Sequence, residues 1–137
     1  MALQNIIEYV TIASIGNATD FGDLAAITMR LAGTSSSTRG VIGGGATPSQ
    51  TNVKSFITIA TTGNATDFGD LTLARGNLTA TSDQMRGVFG GGPNGAPATN
   101  TIDYITIASV GNATDFGDLT QARYNLASGS NGHGGLS

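Results

Sequence analysis

The sequence predicts an all-β fold built from tandem repeats, on three observations. The octapeptide Asn-Ala-Thr-Asp-Phe-Gly-Asp-Leu occurs unchanged at Asn17–Leu24, Asn64–Leu71 and Asn112–Leu119, a spacing of 47 and then 48 residues. A period in that range marks a repeat architecture, in which each unit must lean on its neighbours to bury its apolar face. Glycine fills 21 of the 137 positions, and only 11% of residues are charged, well under the roughly 25% usual in globular domains. Such a composition suits short strands joined by tight turns and suits helices poorly.

Each period offers four strand candidates. The first covers Asn5–Ala13, Val53–Ala60 and Thr101–Ala108, rich in β-branched residues and carrying an aromatic in every copy: Tyr9, Phe56 and Tyr104. A Gly-Asn turn follows each. The second lies within the octapeptide, with Phe21/Leu24, Phe68/Leu71 and Phe116/Leu119 as apolar anchors and an internal glycine that marks a bulge or close backbone approach. The third is expected at Leu73–Ala80, Gln121–Ser128 and, more loosely, Ala26–Gly33. The fourth is expected at Arg39–Gly44 and Arg86–Gly91, each running into glycines. Loops containing proline, Ala46–Thr51 and Pro93–Asn100, lead to the next copy.

The chain reads as one domain of three repeats, about 5–51, 52–99 and 100–137. His133–Ser137 aligns with Met85–Phe89, so the repeat frame is circularly permuted relative to a unit closing after its glycine run.

Net charge is −3 with six Lys and Arg residues in all, which leaves no basic patch for nucleic acid. The absence of cysteine excludes disulfides and thiolate metal sites. No signal peptide is expected, and the apolar runs are far too short for a membrane-spanning helix.

In the frame that begins at Leu73, the unit resembles a kelch-type β-propeller blade. Arg75, Gly90-Gly91-Gly92, Tyr104, Phe116 and Leu119 fill the positions of the kelch Arg, diglycine, Tyr, Trp and following Leu. Phe stands for Trp in every copy, and Thr28 stands for Arg in the first. The Ile-Asp-Tyr-Ile-Thr-Ile-Ala-Ser and octapeptide segments are also similar to repeats of kelch-like proteins in tailed phages, including those of cyanobacteria and other marine hosts. The resemblance implies a four-stranded blade per repeat and a non-enzymatic virion component: a tail, fibre or capsid-surface protein for docking or host attachment. Three blades cannot close a ring. Two chains would give six, with Leu119–Ala127 and Gly134–Ser137 joining Asn5–Leu24 of a partner in a homodimer. A monomeric β-trefoil is the alternative fold, and a soluble multivalent lectin-like module the alternative function.

Residues with chemistry to offer are few. Asp20/Asp23, Asp67/Asp70 and Asp115/Asp118, with Arg39 and Arg86, are candidates for a ligand or ring face; strand-end hydrogen bonding and structural ion pairs are the plainer roles. The three aromatics of the first strand and the Phe and Leu of each octapeptide are assigned to the core. His133 stands alone, and Asp-Phe-Gly appears without any other kinase element. Asn17, Asn64, Asn77 and Asn112 fall in Asn-x-Ser/Thr sequons but read as turn residues. No catalytic set, metal site or cofactor is expected. The expected location is the virion, or the cytoplasm when the chain is expressed alone.

Overall fold

The computed structural model describes residues 3–132. It is all-β, with no helix among these residues, and its strands are β1 Ile6–Tyr9, β2 Thr19–Asp23, β3 Ala32–Ser35, β4 Arg39–Gly43, β5 Val53–Thr58, β6 Thr66–Asp70, β7 Thr79–Ser82, β8 Arg86–Gly90, β9 Thr101–Thr106 and β10 Thr114–Asp118. They form three antiparallel sheets: β1-β2, then β3-β4-β5-β6, then β7-β8-β9-β10. Each four-stranded sheet is a meander in chain order and joins the last two strands of one period to the first two of the next.

The octapeptide makes the same bulged strand three times. Glu8 faces Asp20, Ser55 faces Asp67, and Asp103 faces Asp115, while the next residue back on the first strand, Ile7, Lys54 or Ile102, faces the glycine. The intervening Phe is the extra residue of a β-bulge. Each bulged Phe meets the aromatic of the paired strand edge-on at 6.0 Å, a favoured ring geometry.

Adjacent sheets are stitched by the turn that precedes each octapeptide strand. Gly63 N donates to Phe21 O and Ala65 N to Asp23 O; one period later Gly111 N donates to Phe68 O and Ala113 N to Asp70 O. Glycine is required where the bulge meets this turn. Gly69 has φ +114°, and a Cβ there would lie 2.6 Å from Gly111 O. The main core lies between the two larger sheets and includes Val41, Phe68, Leu71, Phe89, Ile105 and Ile107.

The third-strand expectations are displaced. β3 and β7 begin at Ala32 and Thr79, later than Ala26 and Leu73, and residues 121–128 form no strand. The backbone of residues 71–78 is spent on the preceding sheet: Arg75 N donates to Thr51 O, Gly45 N donates to Arg75 O, and Asn77 N donates to Arg30 O. Asn77, like its repeat mates Arg30 and Asn125, adopts positive φ, which no regular strand permits. The fourth strands stop one residue early, because Gly44 and Gly91 turn to φ +66°. The segment Gly134–Ser137 and His133 lie outside the described residues.

Candidate functional site

The best-organised cluster of charge lies where the chain enters the third sheet. Arg75 and Asp103 are both fully buried and form an ion pair of 2.6 Å. Arg75 Nη1 also donates to Gly91 O and Thr101 O, each at 2.7 Å. The Asp103 carboxylate accepts from Thr72 Oγ1 at 2.5 Å and from Thr72 N at 3.3 Å. A buried pair of this kind is tolerable because extra hydrogen bonds replace most of the water that both ions lost, although Arg75 Nε is buried with no partner among the described residues. The Arg thus ties the inter-sheet connection to β8 and β9.

The corresponding place in the second sheet has Thr28 for Arg75 and Ser55 for Asp103. There the two small side chains line a cavity of about 100 Å3, together with Ile42, Gly44 and Val53. These three match Phe89, Gly91 and Thr101, the residues whose carbonyls Arg75 engages. The void is the imprint of the missing guanidinium.

Lys54 is the second buried charge. Its Nζ lies 4.7 Å from the centroid of the Phe68 ring and donates to Gly111 O at 2.8 Å. Burial pulls its pKa from 10.5 down to about 8, against the opposing pull of Asp70, Asp103 and Asp67. Sequence reasoning missed both Lys54 and Asp103. A lysine in an otherwise apolar strand position, where the other copies have Ile7 and Ile102, was the available signal for the first.

Arg39 and Arg86 take equivalent places over the aromatics of their own sheets, 4.4 Å from the Phe56 ring and 4.5 Å from the Tyr104 ring. Arg39 also donates to Ile107 O, just past β9. Asp23 and Asp70 sit at strand ends, where their N–H groups donate to Asn64 Oδ1 and Asn112 Oδ1 at 3.0 Å. Asp20, Asp67 and Asp115 are exposed, and Asp67 Oδ1 accepts from Gly69 N. Among the described residues no group of three or more His, Asp or Glu side chains could hold a metal ion.

The nine residues assigned to the core divide. Phe21, Phe68 and Leu71 are buried, and Phe56, Tyr104, Leu24 and Leu119 are half-buried. Tyr9 and Phe116 are exposed instead. Two equivalent grooves lie beside the hairpin turns of β5-β6 and β9-β10. One, of about 310 Å3, is lined by Phe56, Thr61, Asn64 and Thr66. The other, of about 230 Å3, is lined by Tyr104, Ser109, Asn112 and Thr114. Compared with known proteins, the chain matches no protein-family model and no curated protein.

Proposed function

We propose that this chain is a non-enzymatic binding module whose sheets are successive blades of a kelch-like β-propeller, and that it serves in a tailed-phage virion. A tail, fibre or capsid-surface position would present it for docking or for contact with a host. The observation that carries the propeller reading is the repeated stitch between sheets, Gly63 N to Phe21 O and Gly111 N to Phe68 O. Such a stitch sets four-stranded meanders side by side, as the blades of a propeller are set. A β-trefoil would instead pair strands of different repeats into a closed barrel, which the sequential sheet orders disfavour.

The best-ordered charges serve the fold. Arg75, Lys54 and Arg39 are engaged by backbone and rings of this chain, and Asp103 by Arg75 and Thr72. The virion assignment rests on the similarity of the repeats to those of phage kelch-like proteins. It is tested by affinity capture from phage lysates and by binding of labelled protein to host cells. Retention of a virion protein or of host envelope supports it, and retention of neither counts against it.

The lectin-like reading is favoured by one observation, the pair of equivalent grooves that set Phe56 or Tyr104 beside hydroxyl and amide groups. Sugars bind through such aromatic and polar combinations, and repetition would add avidity. Glycan-array binding lost on Thr66→Arg and Thr114→Arg together would support it.

A further inference from the structure

Both ends of the described chain carry half of an interface that the middle completes. Residues 119–125 are laid on the third sheet as residues 71–77 are laid on the second. Leu119 N donates to Asn100 O at 2.7 Å as Leu71 N does to Asn52 O at 2.7 Å. Arg123 N donates to Thr99 O, and Gly92 N to Arg123 O, as Arg75 and Gly45 do one period earlier. Arg123 is therefore held where an entering arginine belongs, yet its side chain is exposed and, among the described residues, meets Gln121 Oε1 at 3.4 Å.

At the other end, among the described residues, β1 pairs with β2 along one edge, whereas β5 and β9 are flanked on both. Glu8 stands in the register of Asp103: it faces Asp20 as Asp103 faces Asp115. Glu8 is exposed and has no ion pair among the described residues. Arg75 is matched with Asp103 and Thr28 with Ser55, and among the described residues Arg123 and Glu8 stand at the two remaining equivalent positions.

The flanking surfaces agree. Phe21 and Phe68 are 7% and 1% exposed under the turn of the following sheet, while Phe116 is 52% exposed. Ile107 is 1% exposed against the preceding sheet, while its equivalent Ile12 is 97% exposed. A Cβ on Gly22 or Gly69 would strike the next turn; one on Gly117 would meet nothing. Beside β1 a cleft of about 380 Å3, lined by Ile7, Tyr9, Phe21, Ile57 and Ile59, occupies the flank that strands fill in the other sheets.

We propose that a second copy of this chain completes these halves, so that Arg123 of one copy enters a buried ion pair with Glu8 of the other, in a composite sheet. Asn17 then caps the Asp118 N–H of the other copy, as Asn64 and Asn112 cap Asp23 and Asp70. The inference rests on the propeller reading. Two copies give two such junctions and a closed ring of six sheets, within the range of known propellers.

Light scattering after gel filtration tests it on the 137-residue chain and on Glu8→Arg, Arg123→Glu and the double reversal. The expected result is a wild-type mass twice 13.7 kDa. Each single reversal should weaken association by at least about tenfold, and the double reversal should restore it. A dimer indifferent to both single reversals overturns the proposal. So does a wild-type monomer, and amide exchange then separates the two readings. Protected Gly63 and Gly111 amides in a monomer leave the stacked sheets standing, whereas unprotected ones remove the propeller reading as well.

Discussion

The junction between the second and third sheets and the outer face of the third are built from the same eight residues, yet they differ in almost every physical respect. Phe68 is sealed and Phe116 is half in water; Asp70 N has an Asn112 cap and the equivalent Asp118 N has none among the described residues. Identical sequence gives different burial because the octapeptide does not bury itself. It supplies one side of a contact, and the Gly-Asn turn of the next repeat supplies the other. In a repeat fold, the energy lies in such nearest-neighbour contacts.

The buried ion pair should show the largest effect. Asp103→Ala leaves Arg75 uncompensated and should destabilise the chain by about 3–5 kcal/mol in denaturant titration. Arg123→Ala, at the exposed equivalent, should change the stability of the dissociated chain by less than about 0.5 kcal/mol.

Next comes Lys54, which sits at the sealed junction alone. Its folded pKa, about 8, lies below the unfolded 10.5. Over that window the unfolded chain holds more protons, so stability should rise as pH climbs from about 8 to 10.5. The gain is up to about 3 kcal/mol, since each tenfold change in proton affinity is worth roughly 1.4 kcal/mol. Lys54→Met should abolish the rise, as read from urea midpoints across this range.

Gly69→Ala should cost about 2–4 kcal/mol, because it adds a clash with Gly111 O to the strain of a positive φ. Gly117→Ala carries the strain without the clash and should cost about 1–2 kcal/mol in the dissociated chain. The void in the second sheet offers a gain in place of a loss. Thr28→Arg with Ser55→Asp should fill it and raise stability by about 1 kcal/mol, while Thr28→Arg alone should lower it. The smallest effect is Arg30→Asn, which places a residue tolerant of the left-handed region at a positive φ, for a gain of about 0.5 kcal/mol in thermal unfolding.

Much of the fold was legible. β-branched runs with one aromatic located β1, β5 and β9, and the octapeptide located β2, β6 and β10, because those segments alternate and pair locally. The connections before β3 and β7 misread as strands. Their apolar and β-branched residues look strand-like, but their N–H and C=O groups answer to a neighbouring sheet, and no local pattern records that. The site was less legible. Arg75 stood out by its recurrence at Arg123, but its partner Asp103 emerges only when positions 28/55 and 75/103 are compared as pairs across the repeats. Phe116 was assigned to the core because its sequence is that of Phe68; exposure is a property of what lies beside it.

Successive repeats are joined through the turn before each octapeptide. Amide hydrogen exchange at Gly63 and Gly111 tests it most directly, since both N–H groups bond across sheets, to Phe21 O and Phe68 O. Both should exchange slowly, with Gly69→Ala speeding exchange at Gly111 while Gly63 stays protected. Exchange of both amides in the wild-type chain as fast as that of the exposed Gly129 would contradict it.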